Sequence, residues 1–165
     1  MKIFITIVFC LLNLTINAQS KEEFIHSEMR KVKQIPSYSH ENVLGKRKPL
    51  TVFDSSFSKI VKLGAEAIPV LINKLKDTTT IDIVNPCFTE EKMKVHDLAW
   101  FLINEIEPFP KFLAVKIRFC TWNECDHLPD HFFNFVHSDP RDLANRYKKY
   151  FYSSERKKYL RSKNL

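Results

Sequence analysis

Glycine is almost absent from this sequence, since Gly45 and Gly64 are the only two among 165 residues. Phosphate-binding loops and dinucleotide fingerprints need several closely spaced glycines, because the backbone must approach the phosphates closely. Turn-rich β-barrels and β-sandwiches also depend on glycine at their turns. The composition therefore excludes a nucleotide site on a glycine-rich loop and disfavours an all-β fold.

The sequence also lacks an apolar run long enough to cross a membrane. A membrane-spanning helix needs roughly 20 apolar residues. The longest run, residues 3–14, follows the positive Lys2 and precedes the small residue Ala18. We therefore predict a secretion signal over residues 1–18, cleaved near Ala18, rather than an uncleaved anchor. The mature chain, residues 19–165, is expected to be one domain without a transmembrane segment, in the periplasm or outside the cell.

Positive charge is concentrated at one end of the chain. The net charge is +7, and it is +6 without the predicted signal. Residues 141–165 alone carry a net charge of +7, so the rest of the mature chain sums to −1. The basic character therefore belongs to the C-terminal region, and the body of the protein is close to neutral.

Residues 94–106, KVHDLAWFLINEI, carry the strongest helical pattern in the chain. Val95, Leu98, Leu102 and Ile106 recur at helical spacing, and no polar residue occurs from position 98 to 103. A surface helix has one apolar stripe, whereas a helix that is apolar nearly all round is buried on several sides. We therefore predict an all-α fold, an irregular helical stack around this central buried helix.

Helical spacing, capping residues and prolines predict the other elements. Helices are expected over residues 20–35, 54–63, 65–77, 130–137 and from 140 onward. Residues 78–88 are predicted to form a loop with a short extended piece at residues 81–84, after which Thr89 caps the central helix. Residues 112–120 are predicted to form a short strand or an extended loop.

Residues 68–77 followed by residues 95–106 resemble the two helices of a HEAT-type repeat. The shared features are Pro69 early in the first helix, Asp77 at its end and Val95 at the start of the second. The linker is longer than the usual short turn, and no second copy occurs at a fixed period. The resemblance implies packed helix pairs that offer a binding surface. The whole chain also resembles small secreted proteins of Gram-negative bacteria without an assigned activity, which implies a compartment and a fold only.

Three cysteines remain after removal of the predicted signal: Cys87, Cys120 and Cys125. Exported thiols oxidise, so we predict a Cys120–Cys125 disulfide, with Cys87 as an alternative partner of either one. The alternative is a zinc site formed by Cys120, Cys125, His127 and His131, since thiolates and imidazoles at such spacing suit tetrahedral coordination. Secretion favours the disulfide, so no cofactor is expected, and zinc is the alternative.

Asp97 stands directly before the apolar run of the central helix and is a candidate buried acid. It could have a raised pKa and serve in acid–base chemistry, or it could accept backbone N–H groups as a structural carboxylate. We favour the structural role, because no nucleophile or second acid lies at a diagnostic spacing. Glu105 and Glu107, two positions apart on a helix, are expected to be solvated, and nothing local supports a Cys87–His96 dyad.

The C-terminal region alternates cations with aromatic residues. The candidate contacts to an anionic surface are Arg146, Lys148, Lys149, Arg156, Lys157 and Lys158. The pattern suits an anionic membrane surface or single-stranded nucleic acid, and a solvated helix face is the plain structural alternative. Export counts against nucleic acid as the ligand.

The leading hypothesis is therefore an exported, non-catalytic binding or protein-interaction module, whose partner is another protein or an envelope component. One alternative is a metal-binding protein or enzyme that uses the cysteine and histidine cluster. The other is attachment to an envelope surface through the basic tail, about residues 153–165.

Overall fold

A computed structural model describes residues 20–36, 54–85, 88–107, 111–116 and 132–162. The described chain is mostly helical, with one small sheet, which confirms the predicted all-α class with a short extended segment. The elements in chain order are α1 (residues 20–31), α2 (Ser55–Lys62), a 3-10 turn (Gly64–Glu66), α3 (Ile68–Lys74), β1 (Thr80–Asn85), β2 (Phe88–Lys94), α4 (Val95–Ile106), α5 (Lys111–Val115), α6 (Phe132–Ser138), α7 (Pro140–Phe151) and α8 (Ser154–Ser162).

The predicted central helix is α4. All side chains from His96 to Ile103 are buried, and α2, α3 and α6 pack against this helix. Leu98 and Leu102 are fully buried, and such burial stabilises the fold by about 1.5–3 kcal/mol for each leucine. The sequence places the helix correctly, because a segment apolar on nearly every side must be covered by several neighbours.

The α3 and α4 helices are joined by a β-hairpin rather than by a simple loop. β1 and β2 pair antiparallel, with Thr80 opposite Lys94 and Asn85 opposite Phe88. The predicted extended piece at residues 81–84 is confirmed, because it lies within β1, where β-branched residues favour a strand. The pairing with β2 was not predicted, and Phe88, predicted to lie in the loop, begins β2. Thr89 lies within β2, so the prediction that it caps α4 is wrong.

Lys94, the last residue of β2, is the N-cap of α4. The backbone N–H of Val95 donates to the carbonyl of Thr79 at 2.9 Å, and that of His96 donates to the carbonyl of Asp77 at 3.0 Å. These bonds satisfy two N–H groups that the first turn of a helix leaves without an internal partner. They also fix the start of α4 beside the end of α3.

Residues next to α2 in the sequence determine where the helix begins and ends. Asp54 accepts from the backbone N–H groups of Ser56 at 2.8 Å and Phe57 at 3.2 Å, as an N-cap does. Gly64 has a φ of +60°, a left-handed conformation that favours glycine after a helix. Asp54 also accepts from the N–H of Lys33 at 3.1 Å, which ties the segment after α1 to α2.

The C-terminal helices show one confirmed start and one correction. Asp139 caps α7 by accepting from the N–H of Asp142 at 2.9 Å, and Pro140 occupies the first turn, as predicted. Lys111–Val115 forms α5, so the strand or extended loop predicted over residues 112–120 is wrong for residues 112–115, and residues 117–120 lie outside the described residues. Periodicity cannot separate a short apolar strand from a short buried helix.

Two long-range contacts hold the C-terminal helices to α4. The indole N–H of Trp100 donates to the hydroxyl of Tyr147 on α7 at 2.9 Å, inside the core. Glu107, directly after α4, accepts two bonds from the guanidinium of Arg156 on α8, at 2.7 and 2.5 Å. Glu107 is buried, so the expectation that it is solvated is wrong.

The predicted secretion signal, residues 1–18, lies outside the described residues. Within the described ranges, no helix combines the length and the apolar character needed to cross a membrane.

Candidate functional site

A buried polar cluster lies at the start of α4. Asp97 is fully buried, and its Oδ2 accepts from the backbone N–H of Lys94 at 2.9 Å. Asp97 is the third residue of the helix, where a carboxylate both accepts from the N-cap N–H and interacts favourably with the helix dipole. The position of Asp97 in the first turn of the helix therefore explains the hydrogen bond that Oδ2 accepts, but not the contacts of Oδ1.

Two histidines face the other oxygen of Asp97. Nε2 of His137, in the last turn of α6, lies 2.9 Å from Oδ1 in a hydrogen bond. Nε2 of His96, the neighbouring residue on α4, lies 3.3 Å from the same oxygen. The two imidazole rings are tilted by 46°, with their centroids 5.0 Å apart. The fold thus places one carboxylate oxygen between two imidazoles.

The 3.3 Å contact between His96 and Asp97 lacks the alignment of a hydrogen bond. His96 is fully buried, and neither of its ring nitrogens has a hydrogen-bond partner among the described residues. Of the three side chains in the cluster, that of His137 reaches the surface, because 22% of it is exposed. A buried imidazole with two unpartnered nitrogens is uncommon, since such groups are normally satisfied.

The carboxyl of Asp97 has a pKa below its usual range. Burial acts to raise this pKa, but the contacts with His96, the Lys94 N–H and His137 outweigh burial. Asp97 is thus held as a carboxylate and does not have the raised pKa that a general acid needs at neutral pH.

A second candidate site is a groove of about 500 Å³ between the end of α3 and one face of α7. Its floor is formed by Ile72 and Ala144, and its polar lining by Asn73, Lys76, Arg141, Asn145 and Lys148. Positions 141, 145 and 148 share one face of α7 because they are four and three residues apart. The described lining residues include three cations, two carboxamides and no carboxylate.

The cations of the C-terminal region divide into two groups. Arg146 donates to Asp142 at 2.6 Å and to the carbonyl of Val115, and Arg156 is held by Glu107. Lys148, Lys149, Lys157 and Lys158 are exposed, and none of these four has an ion-pair partner in the described part of the chain. The two arginines therefore stabilise the fold, and the lysines are available to a ligand.

The residues predicted to form a disulfide or a zinc site are not among those that the structure describes. Cys87, Cys120, Cys125, His127 and His131 all lie outside the described residues. The disulfide, its alternative partner and the zinc alternative therefore stay predictions.

Sequence reasoning found Asp97 but missed its main partner, His137. The two residues are 40 positions apart, and a lone histidine near the end of a short helix carries no local signal. It also missed Lys76, Asn73 and Asn145, which line the groove. The available signal was their position on polar helix faces, which by itself indicates only exposure to solvent.

Comparisons of this chain with protein-family models, with curated proteins and with solved structures found no match.

Proposed function

We propose that the protein is an exported, non-catalytic binding protein, and that the groove between α3 and α7 binds anionic headgroups at an envelope surface. The observation that carries this proposal is the convergence of Lys76, Arg141 and Lys148 on one groove whose described lining contains no carboxylate. Like charges at one place repel each other, so an anion bound between them relieves an unfavourable arrangement.

The chemistry of the lining favours binding over catalysis. Ammonium, guanidinium and carboxamide groups all donate hydrogen bonds to phosphate or carboxylate oxygens. Arg141 can present two parallel N–H groups, whereas Asn73 and Asn145 supply neutral donors on either wall. The apolar floor of Ile72 and Ala144 places this donor set around a space of headgroup size.

The neighbouring surface supports a flat anionic partner. Tyr152, between α7 and α8, is 64% exposed and is one of the few large apolar side chains at the described surface. Lys148 and Lys149 precede it, and Lys157 and Lys158 follow it. Aromatic rings flanked by cations are typical of the interface between a protein and lipid headgroups.

Co-sedimentation with lipid vesicles tests the proposal. The full chain should pellet with vesicles that contain phosphatidylglycerol and not with pure phosphatidylcholine vesicles. Each basic residue near such a surface is worth about 1 kcal/mol, so the triple variant Lys76→Gln, Arg141→Gln, Lys148→Gln should bind roughly 100-fold more weakly.

The matched control removes the same charge elsewhere. Arg30, Lys33 and Lys62 are exposed on or near α1 and α2 and lie outside the groove. Their replacement by glutamine should leave binding much stronger than in the groove variant. Equal loss in both triple variants would show that net charge alone acts, and absence of binding by the unaltered chain would refute the proposed function.

A third variant distinguishes binding through the groove from binding through the cations of α8. Lys157→Gln, Lys158→Gln and Arg161→Gln together remove exposed cations of α8 and retain Arg156, which Glu107 needs. We expect a smaller loss of binding than in the groove variant. A larger loss would place the main contact on α8.

A further inference from the structure

The Asp97–His137 hydrogen bond does not account for the whole buried cluster. A structural pair of carboxylate and imidazole would satisfy these two residues. His96 would remain fully buried, with no hydrogen-bond partner for Nδ1 among the described residues and only the unaligned 3.3 Å contact with Asp97 for Nε2. Leaving a buried polar group unsatisfied is costly, and a native protein normally supplies a partner. The position of His96 therefore points to a ligand at the cluster.

The three candidate ligand atoms lie close enough together to share one metal ion. With metal–ligand bonds of about 2.0–2.2 Å, neighbouring ligand atoms of a tetrahedral ion lie about 3.3–3.6 Å apart. Oδ1 of Asp97 lies 3.3 Å from Nε2 of His96 and 2.9 Å from Nε2 of His137. One ligand atom from each of the three residues lies within 4.8 Å of the other two.

We infer that His96, Asp97 and His137 form a binding site for a divalent transition-metal ion, with Zn²⁺ as the preferred ion. Two imidazole nitrogens and one carboxylate oxygen are a donor set that suits zinc, cobalt, nickel and copper. Calcium and magnesium prefer oxygen ligands, so they are poor candidates. The inference is independent of the anion-binding groove and of the cysteine segment.

The surroundings of the cluster hold the ligands in place. Oδ2 of Asp97 is fixed by the Lys94 N–H, which leaves Oδ1 to the metal ion. Such a second contact orients a ligand and tunes its affinity. His96 and Asp97 belong to α4 and His137 to α6. Metal binding therefore links these two helices, and the partly exposed side chain of His137 provides the entry path.

Titration of the full chain with Co²⁺ and Zn²⁺ tests the site. We expect the visible bands of tetrahedral Co²⁺ at one ion per chain, their loss when Zn²⁺ displaces it, and a higher thermal midpoint with Zn²⁺. Both His96→Gln and His137→Gln should weaken Zn²⁺ binding about tenfold or more. His26→Gln, on α1, is the matched control and should bind like the unaltered chain.

A measurement on the unaltered chain guards against variants that fail to fold. Long-range ¹H–¹⁵N spectra of the imidazoles should show that Zn²⁺ shifts the nitrogens of His96 and His137 and leaves those of His26 in place. A strong thiolate-to-cobalt charge-transfer band with unchanged His96 and His137 signals would place the metal on the cysteines and overturn the inference. Unchanged affinity in folded His96→Gln and His137→Gln proteins would also overturn it.

Discussion

Glu28 is a buried carboxylate whose partners come from two helices. Its oxygens accept from Lys31 at 2.7 Å on the same helix, α1, and from Lys59 on α2 at 3.1 Å. The hydrogen bonds from Lys31 and then Lys59 lower its pKa from 4.5 to about 2. The charged form of Glu28 therefore contributes to the contact between α1 and α2.

Stability should depend on Glu28 over a defined range of pH. Because its pKa is lower in the folded than in the unfolded chain, its contribution is complete above about pH 4.5 and is lost as the pH falls towards 2. Urea unfolding from neutral pH downward should show a gap between the unaltered chain and Glu28→Gln that narrows over this range. Glu22→Gln, at an exposed site on α1, is the control, and a gap that widens towards low pH would contradict the assignment.

Individual residues could be predicted where their partners are local. The caps Asp54 and Asp139 bind N–H groups within three positions, so their roles follow from the order of neighbouring residues. The partners of Glu107 and Asp97 lie 49 and 40 positions away. Such pairs depend on how the helices pack, and no short pattern in the sequence indicates them.

Arg156 attaches the α8 helix to the residue that follows α4. The guanidinium of Arg156 binds both oxygens of Glu107 and lies 4.1 Å from the ring centroid of Phe151. Both charged side chains are nearly buried. Loss of the arginine would leave the carboxylate of Glu107 in a poorly solvated place.

Arg156→Ala should therefore be much more damaging than a change at its neighbour. We expect a decrease of about 3 kcal/mol in the free energy of unfolding, as for a buried ion pair with one partner removed. Lys157→Ala, at an exposed site, should change it by less than about 0.5 kcal/mol. Denaturant unfolding measures both, and similar small effects would show that the ion pair does not hold α8.

Helices and strands with long, regular apolar patterns were predicted more accurately than short ones. The buried α4 and the amphipathic α7 have several turns of helical spacing, and both are where the sequence places them. The extended piece within β1 was predicted, but β2 and α5 were missed, because a few residues of mixed character fit a loop, a strand or a helix equally well. Tertiary contacts decide such short segments.

The whole molecule combines a nearly neutral body with a basic C-terminal region. The sequence shows this asymmetry, but it cannot show which cations are used internally and which face a ligand. The fold assigns Arg146 and Arg156 to internal contacts and brings Lys76, from another part of the chain, beside Arg141 and Lys148. The HEAT-like organisation of α3 and α4 stays a prediction.

A chemical-shift titration tests the anion-binding groove most directly. The ¹⁵N-labelled full chain would be titrated with a short-chain phosphatidylglycerol below its micelle concentration, with the matching phosphatidylcholine as control. We predict saturable shifts centred on residues 72–76 and 141–148, which line the groove from its two sides. Shifts confined to α8, or small shifts spread over all exposed lysines without saturation, would contradict the proposed function.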